Sequence, residues 1–422
     1  MLKHIMMEVE SRCDIDMIII LYLTFISMII FGVCSLKRLA NPITIFNIVW
    51  FAAIAFYNLQ LSKLQSALLP KTITVFIIMS ISFSISCWFF SKIKLREQKE
   101  KNIKIPNSKI RLMLMIWIAI EMVEIAYSGG VPMLWKILGK HKTYKEFGIS
   151  SVHGFMNAFS LVVALLGFYN YKIEENKIEK KKMLKYILII IGFNLLVIVR
   201  QVIITLVLEL GIISLFFRKK IPWKKYFIIM IIGIICFGVI GNFRTGYDGF
   251  YRVALIKKPV SKYLVGFHWV YMYLTMSIAN INNMVRLGIN NYKFYTLLHY
   301  LPTVIEKKIF SGSRLILRNH LVTYAFNVSG YFADFYLAYG MIGTVVITVI
   351  YGIVSGITFN KVINNKNEKN ILYYAISIQI ILLSFFYNHL LYLPSGFQYI
   401  IIYFIFNSPN NYNKGDNNEN DN

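Results

Sequence analysis

Apolar residues in this chain come in unbroken runs, not at the one-in-three spacing of an amphipathic helix or the alternation of a half-buried strand. Eleven runs stand out, at 17–36, 43–59, 72–91, 112–127, 153–171, 184–199, 202–217, 226–242, 332–357, 371–387 and 390–406. Each is about as long as a helix needs to be to cross a bilayer core of about 30 Å. In hydrocarbon the backbone must satisfy its own hydrogen bonds, so runs of this kind predict helices. The expected fold is an all-α polytopic membrane protein with about 11 transmembrane helices.

The same pattern divides the chain. Residues 1–242 form an N-terminal transmembrane bundle of eight spans. Residues 243–331 form one long connection carrying amphipathic helices, 332–406 the C-terminal spans, and 407–422 a tail rich in Asn, Asp and Gly. Such a tail is expected to be disordered. Segment 262–288 is apolar, but Asn280, Asn282, Asn283 and His268 would be costly in lipid, so it is expected to be an amphipathic or re-entrant helix against the outer face.

Charge gives the direction. Segment 92–111 holds eight bases, 172–185 six, 218–225 five and 361–370 three, and Lys37 and Arg38 follow the first run. The alternate connections are lean: 60–71 has Lys63 and Lys71, and the turn between 199 and 202 has Arg200. Short cytoplasmic connections collect Lys and Arg. An N-terminus outside and a C-terminus inside (cytoplasmic) satisfy every short connection. Parity then requires two crossings in 184–217, with Arg200 and Gln201 at an outer turn, and it places 128–152 and 243–331 outside.

Composition agrees. The 422 residues are 57% hydrophobic and 15% charged, against about 25% charged in soluble domains. That excludes an ordinary soluble enzyme, a coiled coil, a collagen and a disordered chain. The net charge of +25 follows from the basic cytoplasmic connections and does not call for nucleic acid. Four cysteines, three of them inside apolar runs, indicate neither a disulfide framework nor a Cys metal cluster. The first run is expected to act as a signal anchor.

The chemistry is expected on the outer face. Segment 243–331 carries eleven Lys and Arg against Asp248 and Glu306 alone, a positive basin suited to an anionic partner. Arginine forks bind phosphate or diphosphate bidentately. Aromatics such as Trp269, Tyr273, Tyr292 and Tyr300 are interleaved there, either as an interfacial belt or as platforms for sugar rings. Arg200 is either a snorkelling anchor or a phosphate ligand. Glu121 and Glu124 lie one helical turn apart inside the fourth run, with Glu124 nearer the outer end and the better candidate base. Glu209, within the seventh run, is expected to be a buried partner in the bundle. His153 opens the fifth run and Asp334 the ninth; either could move a proton or orient a charged group. Asp14 and Asp16 are too sparse for a metal, and none is expected. Gly352 and Gly356 form a helix-packing GxxxG. There is no GxxxxGK[ST], HExxH or GxSxG motif, so ATP-driven transport and classical hydrolase chemistry have no support.

Several motifs resemble those of the O-antigen polymerases, or oligosaccharide repeat-unit polymerases. They are Ser128-Gly129-Gly130-Val131-Pro132, Phe147-Gly148-Ile149 and His153-Gly154; the Arg200 turn; Asn242-Phe243-Arg244; and Asn327-Val328-Ser329 through Phe335, with Gly340 and Gly343. The resemblance covers about residues 110–360. It departs at Ala338-Tyr339, where an acid is expected before the glycine. It implies an inner-membrane glycosyltransferase on a GT-C-like scaffold with a periplasmic site. Such an enzyme transfers a glycan from undecaprenyl pyrophosphate onto another lipid-linked repeat unit, without nucleotide, metal or other cofactor. A chain-length regulator is a partner this class implies. On this expectation Arg200, Arg244 and Arg252 hold the pyrophosphate, while His153, Glu124 and Asp334 serve the proton transfer. The rivals are an O-antigen ligase using the same donor and a flippase or transporter; the long outer connection and the lack of internal repeats argue against the last.

Overall fold

The structure is a computed structural model that describes residues 2–38, 40–94, 104–218, 223–259, 261–262 and 264–407. The tail from 408 onward lies outside the described residues. In chain order the helices are α1 (Leu2–Leu36), α2 (Pro42–Tyr57), α3 (Pro70–Lys92), α4 (Asn107–Ser128), α5 (Pro132–Ile137), α6 (Val152–Ile173), α7 (Lys177–Leu196) and α8 (Arg200–Phe216). They continue with α9 (Trp223–Thr245), α10 (Tyr247–Ala254), α11 (Val265–Leu287), α12 (Thr303–Ile309), α13 (Ser313–Asn319), α14 (Ala333–Asn364), α15 (Glu368–Leu382) and α16 (Leu393–Phe406). Among the described residues there is no β-strand, only an isolated antiparallel bridge between Ser62 and Ile256.

Each apolar run holds a helix, although 383–387 and 390–392 form the non-helical link between α15 and α16, and several helix ends are set by residues that start or stop a helix. Asn41 caps α2 by accepting from the Thr44 N–H, Asn176 caps α7, and Asn367 caps α15. Pro42, Pro70 and Pro394 occupy first-turn positions where a missing N–H costs nothing. Among the described residues, four helices are long and apolar enough to cross a membrane: Ile15–Leu36, Pro70–Lys92, Val152–Ile173 and Ala333–Asn364. Pro42–Tyr57 and Leu393–Phe406 are apolar but shorter.

Residues 184–217 break into two helices as parity required. The backbone turns through Ile198 at φ +61°, with the Val199 N–H returning to the Asn194 carbonyl at 3.1 Å. This is a Schellman-type helix end with a β-branched residue where glycine is usual. The strain is held by packing, because Val197 is buried with Val131, Trp135 and Phe147.

Connections collect at two opposite ends of the helices. At one end Ile105 donates to the Glu368 carboxylate at 3.2 Å, Asn170 donates to the Ile105 carbonyl, and Lys104 pairs with Glu174. Tyr374 reaches the Ala40 carbonyl and Asn360 the Ile93 carbonyl. The Lys- and Arg-rich connections after α1, α3, α6 and α14 therefore share that end. At the other end, Lys257 donates to Leu61 and Lys63 to Leu255, Val304 donates to Ser151, and Tyr331 donates to Ser384. The 243–331 connection thus folds over the segments after α2, α5 and α15.

Helix α11 occupies the 262–288 segment, where an amphipathic or re-entrant helix packed against the outer face is expected. It is buried against α2, α3 and α9. Its polar residues are tolerated because the protein satisfies them. Asn280 donates to the carbonyls of Phe326 and Val328, and Asn282 donates to Ala67 while accepting from Thr72. Asn283 donates to His320, and His268 meets the Tyr251 hydroxyl at 3.0 Å. Their partners come from the rest of the 243–331 connection and, for Asn282, from the segment between α2 and α3 and the start of α3.

Candidate functional site

Helix α4 ends where Gly129 takes φ +72°, and the chain then doubles back through α5. Gly148 donates its N–H to the Ser128 hydroxyl at 2.9 Å, and the next N–H, of Ile149, donates to Glu124 Oε1 at 3.0 Å. Gly148 has φ +86°, and a Cβ there would lie 2.8 Å from His153 Cβ; only glycine fits. This clamp brings the start of α6 to the end of α4. His153 Nδ1 sits 2.7 Å from Glu124 Oε2. Glu124 is fully buried while the His153 side chain is 22% exposed. A carboxylate on Nδ1 fixes the proton there and leaves Nε2 as the acceptor nitrogen of the ring.

His153 lines a cavity of about 190 Å³. That is below the ~300 Å³ of a drug-sized pocket, so it suits a head group rather than a whole oligosaccharide. One wall is the start of α6, with Ser151, His153 and Asn157. Opposite stand His299, Tyr300 and Arg314 from the 243–331 connection, and Tyr387 and Tyr392 between α15 and α16 complete it. Ser151 has φ +70°, a strained backbone of the kind that clusters at functional sites.

The opposite wall is built on a second buried carboxylate. Helix α14 breaks at Gly340, whose φ +61° and ψ −139° are reserved for glycine. The break sets residues 333–339 at their own angle, pinned by the Asn290 N–H on the Leu337 carbonyl at 3.0 Å. Asp334 is 1% exposed. It accepts from the Tyr300 hydroxyl and faces His299 Nε2 at 3.3 Å. His299 Nδ1 donates to the Thr296 carbonyl at 2.9 Å. With Nδ1 committed as donor, the approach of Nε2 to a carboxylate favours the imidazolium. Burial pushes the His299 pKa down, but the Asp334 charge and the hydrogen bonds outweigh it, so the pKa is raised. Burial and the same carboxylate hold Tyr300 well above its ordinary value, so it stays a phenol.

Arg314, on α13, is the arginine of the cavity. Its guanidinium pairs with the buried Glu306 at 3.1 Å and its side chain is 62% exposed. Glu306 is itself held by the Ser313 hydroxyl at 2.6 Å. The arginine is therefore aimed by one side and open on the other.

The residues expected from the sequence fall in different places. His153, Glu124 and Asp334 all belong to this site: His153 on the cavity surface, Glu124 behind it, Asp334 behind His299 and Tyr300. Arg200 begins α8 and stacks over Tyr273, 5.9 Å from the ring centre; it does not line the cavity. Arg252 is exposed on α10. The side chain of Arg244, near the end of α9, lies outside the described residues, as does that of Asp14. Glu209 is fully buried in α8 and accepts from Gln398 at 3.0 Å, the bundle partnership expected. Tyr300 is expected only as one of the interleaved aromatics, and His299 and Arg314 are not among the residues expected to act. The only sequence signal for them was the basic, aromatic character of their segment, because they meet His153 through tertiary folding.

Comparisons with protein-family models, with curated proteins and with solved structures gave no match.

Proposed function

We propose that this chain is a membrane glycosyltransferase that polymerises undecaprenyl-pyrophosphate-linked oligosaccharide repeat units. On this reading all eleven apolar helices cross the inner membrane, in a GT-C-like arrangement. The end bearing the Lys- and Arg-rich connections faces the cytoplasm, and the cavity opens on the periplasmic side. The N-terminus is then periplasmic and the C-terminus cytoplasmic. The observation that carries the proposal is the cavity itself. It joins an imidazole fixed by a buried carboxylate to an aimed arginine and an Asp334-paired imidazole.

Each part has a role in glycosyl transfer. The donor is already activated by its diphosphate leaving group, so charge stabilisation and orientation are the main tasks. Arg314 and the imidazolium of His299 face that diphosphate; the charge developing on the departing oxygen is met by groups held in place beforehand. His153 Nε2 takes the proton of the acceptor hydroxyl as the new glycosidic bond forms, and Glu124 stabilises the resulting imidazolium. Asp334 and Glu306 keep the cationic groups oriented. Nucleotide is not required.

The test is chain length. Arg314→Ala in the producing cell should replace long polysaccharide by single lipid-linked repeats, with the protein still present in the membrane. Arg200→Ala tests whether a second arginine contributes. Unchanged chain lengths in Arg314→Ala would overturn the assignment, and lipopolysaccharide bearing no repeat unit at all would favour a ligase or an earlier step.

A further inference from the structure

Behind the catalytic face of His153 lies a carboxylate that proton transfer does not use. Glu121 precedes Glu124 by one helical turn on α4 and is 2% exposed. Neither of its carboxylate oxygens makes a hydrogen bond of normal geometry, and its polar neighbours are Glu124 and the Trp117 indole. One ligand atom from each of Glu121, Glu124 and His153 lies within 4.8 Å of the other two. With both carboxyls ionised, the cluster carries a negative excess even when the ring is protonated, and a proton or a cation must offset it.

The geometry points to a site for one divalent transition-metal ion, held by Glu121, Glu124 and His153 Nδ1. Two carboxylates and a neutral imidazole balance a 2+ charge. The mixed oxygen and nitrogen donors suit Zn²⁺ or Mn²⁺ more than Mg²⁺ or Ca²⁺, which prefer oxygen alone. Glutamates at i and i+3 share a helix face, and His153 closes the set from α6. The Ile149 N–H on Glu124 Oε1 supplies the outer hydrogen bond that orients a ligating carboxylate. The ion would give Glu121 a counter-charge.

The site stands on its own geometry; its consequence for catalysis rests on the transfer reaction proposed above. An ion on Nδ1 displaces the proton shared with Glu124, and that proton moves to Nε2, so the ring stays neutral. His153 is then a donor to the cavity and no longer a base, so the loaded form is the resting form.

The test is binding to the full chain, purified in detergent, stripped with chelator and exposed to Mn²⁺ or Zn²⁺. One ion per chain should survive gel filtration, measured by elemental analysis, and thermal unfolding should shift upward. Glu121→Gln, which keeps shape and removes the charge, should weaken binding on the order of 100-fold and abolish the shift. If that variant does not fold, the Mn²⁺ resonance spectrum of the wild-type chain decides: nitrogen coupling from one histidine supports the site. A wild-type chain that retains neither ion, or a Glu121→Gln chain that retains the full equivalent, overturns it. None of these readouts depends on polymerase activity.

Discussion

Replacing Glu124 by Gln separates orientation from shape. The amide keeps an oxygen for the Ile149 N–H, which lies 3.0 Å from Glu124 Oε1. It also turns an NH₂ donor toward His153 Nδ1, where a carboxylate oxygen now sits at 2.7 Å. A donor there forces Nδ1 to accept, moves the ring proton to Nε2, and removes the lone pair that takes the acceptor proton. The wrong tautomer of a carboxylate-held histidine costs about 10⁴-fold in rate, or roughly 5.5 kcal/mol of barrier. The fold should lose only about 2 kcal/mol, the scale of one charge-assisted hydrogen bond. The assay is single-turnover elongation of a lipid-linked repeat unit by the purified variant, with its unfolding temperature measured beside it. A folded Glu124→Gln protein that elongates within about threefold of wild type would refute the role of His153 Nε2, since even a modest general base contributes about 10²-fold.

Two further outcomes follow from the opposite wall. The His299 pKa is raised above its unfolded value, so the stability from its pairing with Asp334 is fully present below about pH 6.5 and is lost as pH rises through the folded value. Unfolding temperature should fall across that interval in the wild type and fall less in His299→Gln; identical profiles would contradict the pairing. Gly340→Ala should destabilise by about 1–3 kcal/mol, because its φ is +61° and the new Cβ would lie 2.8 Å from Ile289 Cδ1. An unchanged unfolding temperature would show that the break in α14 is not needed.

The helices were legible because a continuous apolar run admits little else. Even the split at 197–199 could be read, from the charge on either side, although nothing in the sequence announces Ile198 as the residue to take a left-handed turn. Helix α11 was harder. Its asparagines argued against lipid, but their partners at Ala67, Phe326 and Val328 come from segments far away in the chain, which spacing cannot reveal. The site divides the same way. Glu124 and His153 were visible as charges out of place at the edge of apolar runs. Arg314 and His299 sit in a connection where eleven basic residues look alike, and only burial beside Glu306 and Asp334 distinguishes them. Arg200 attracted notice for its position between two runs, and its contact is the ring of Tyr273.

The most direct measurement of the central claim is reconstitution. The purified chain in proteoliposomes would be given a single species of undecaprenyl-diphosphate-linked repeat unit, and products would be resolved by size. A ladder of glycans accompanied by release of undecaprenyl diphosphate is the predicted result, with His153→Ala and Arg314→Ala giving neither. Repeat units left unextended by the folded wild-type protein, or a ladder that both variants still produce, would contradict it.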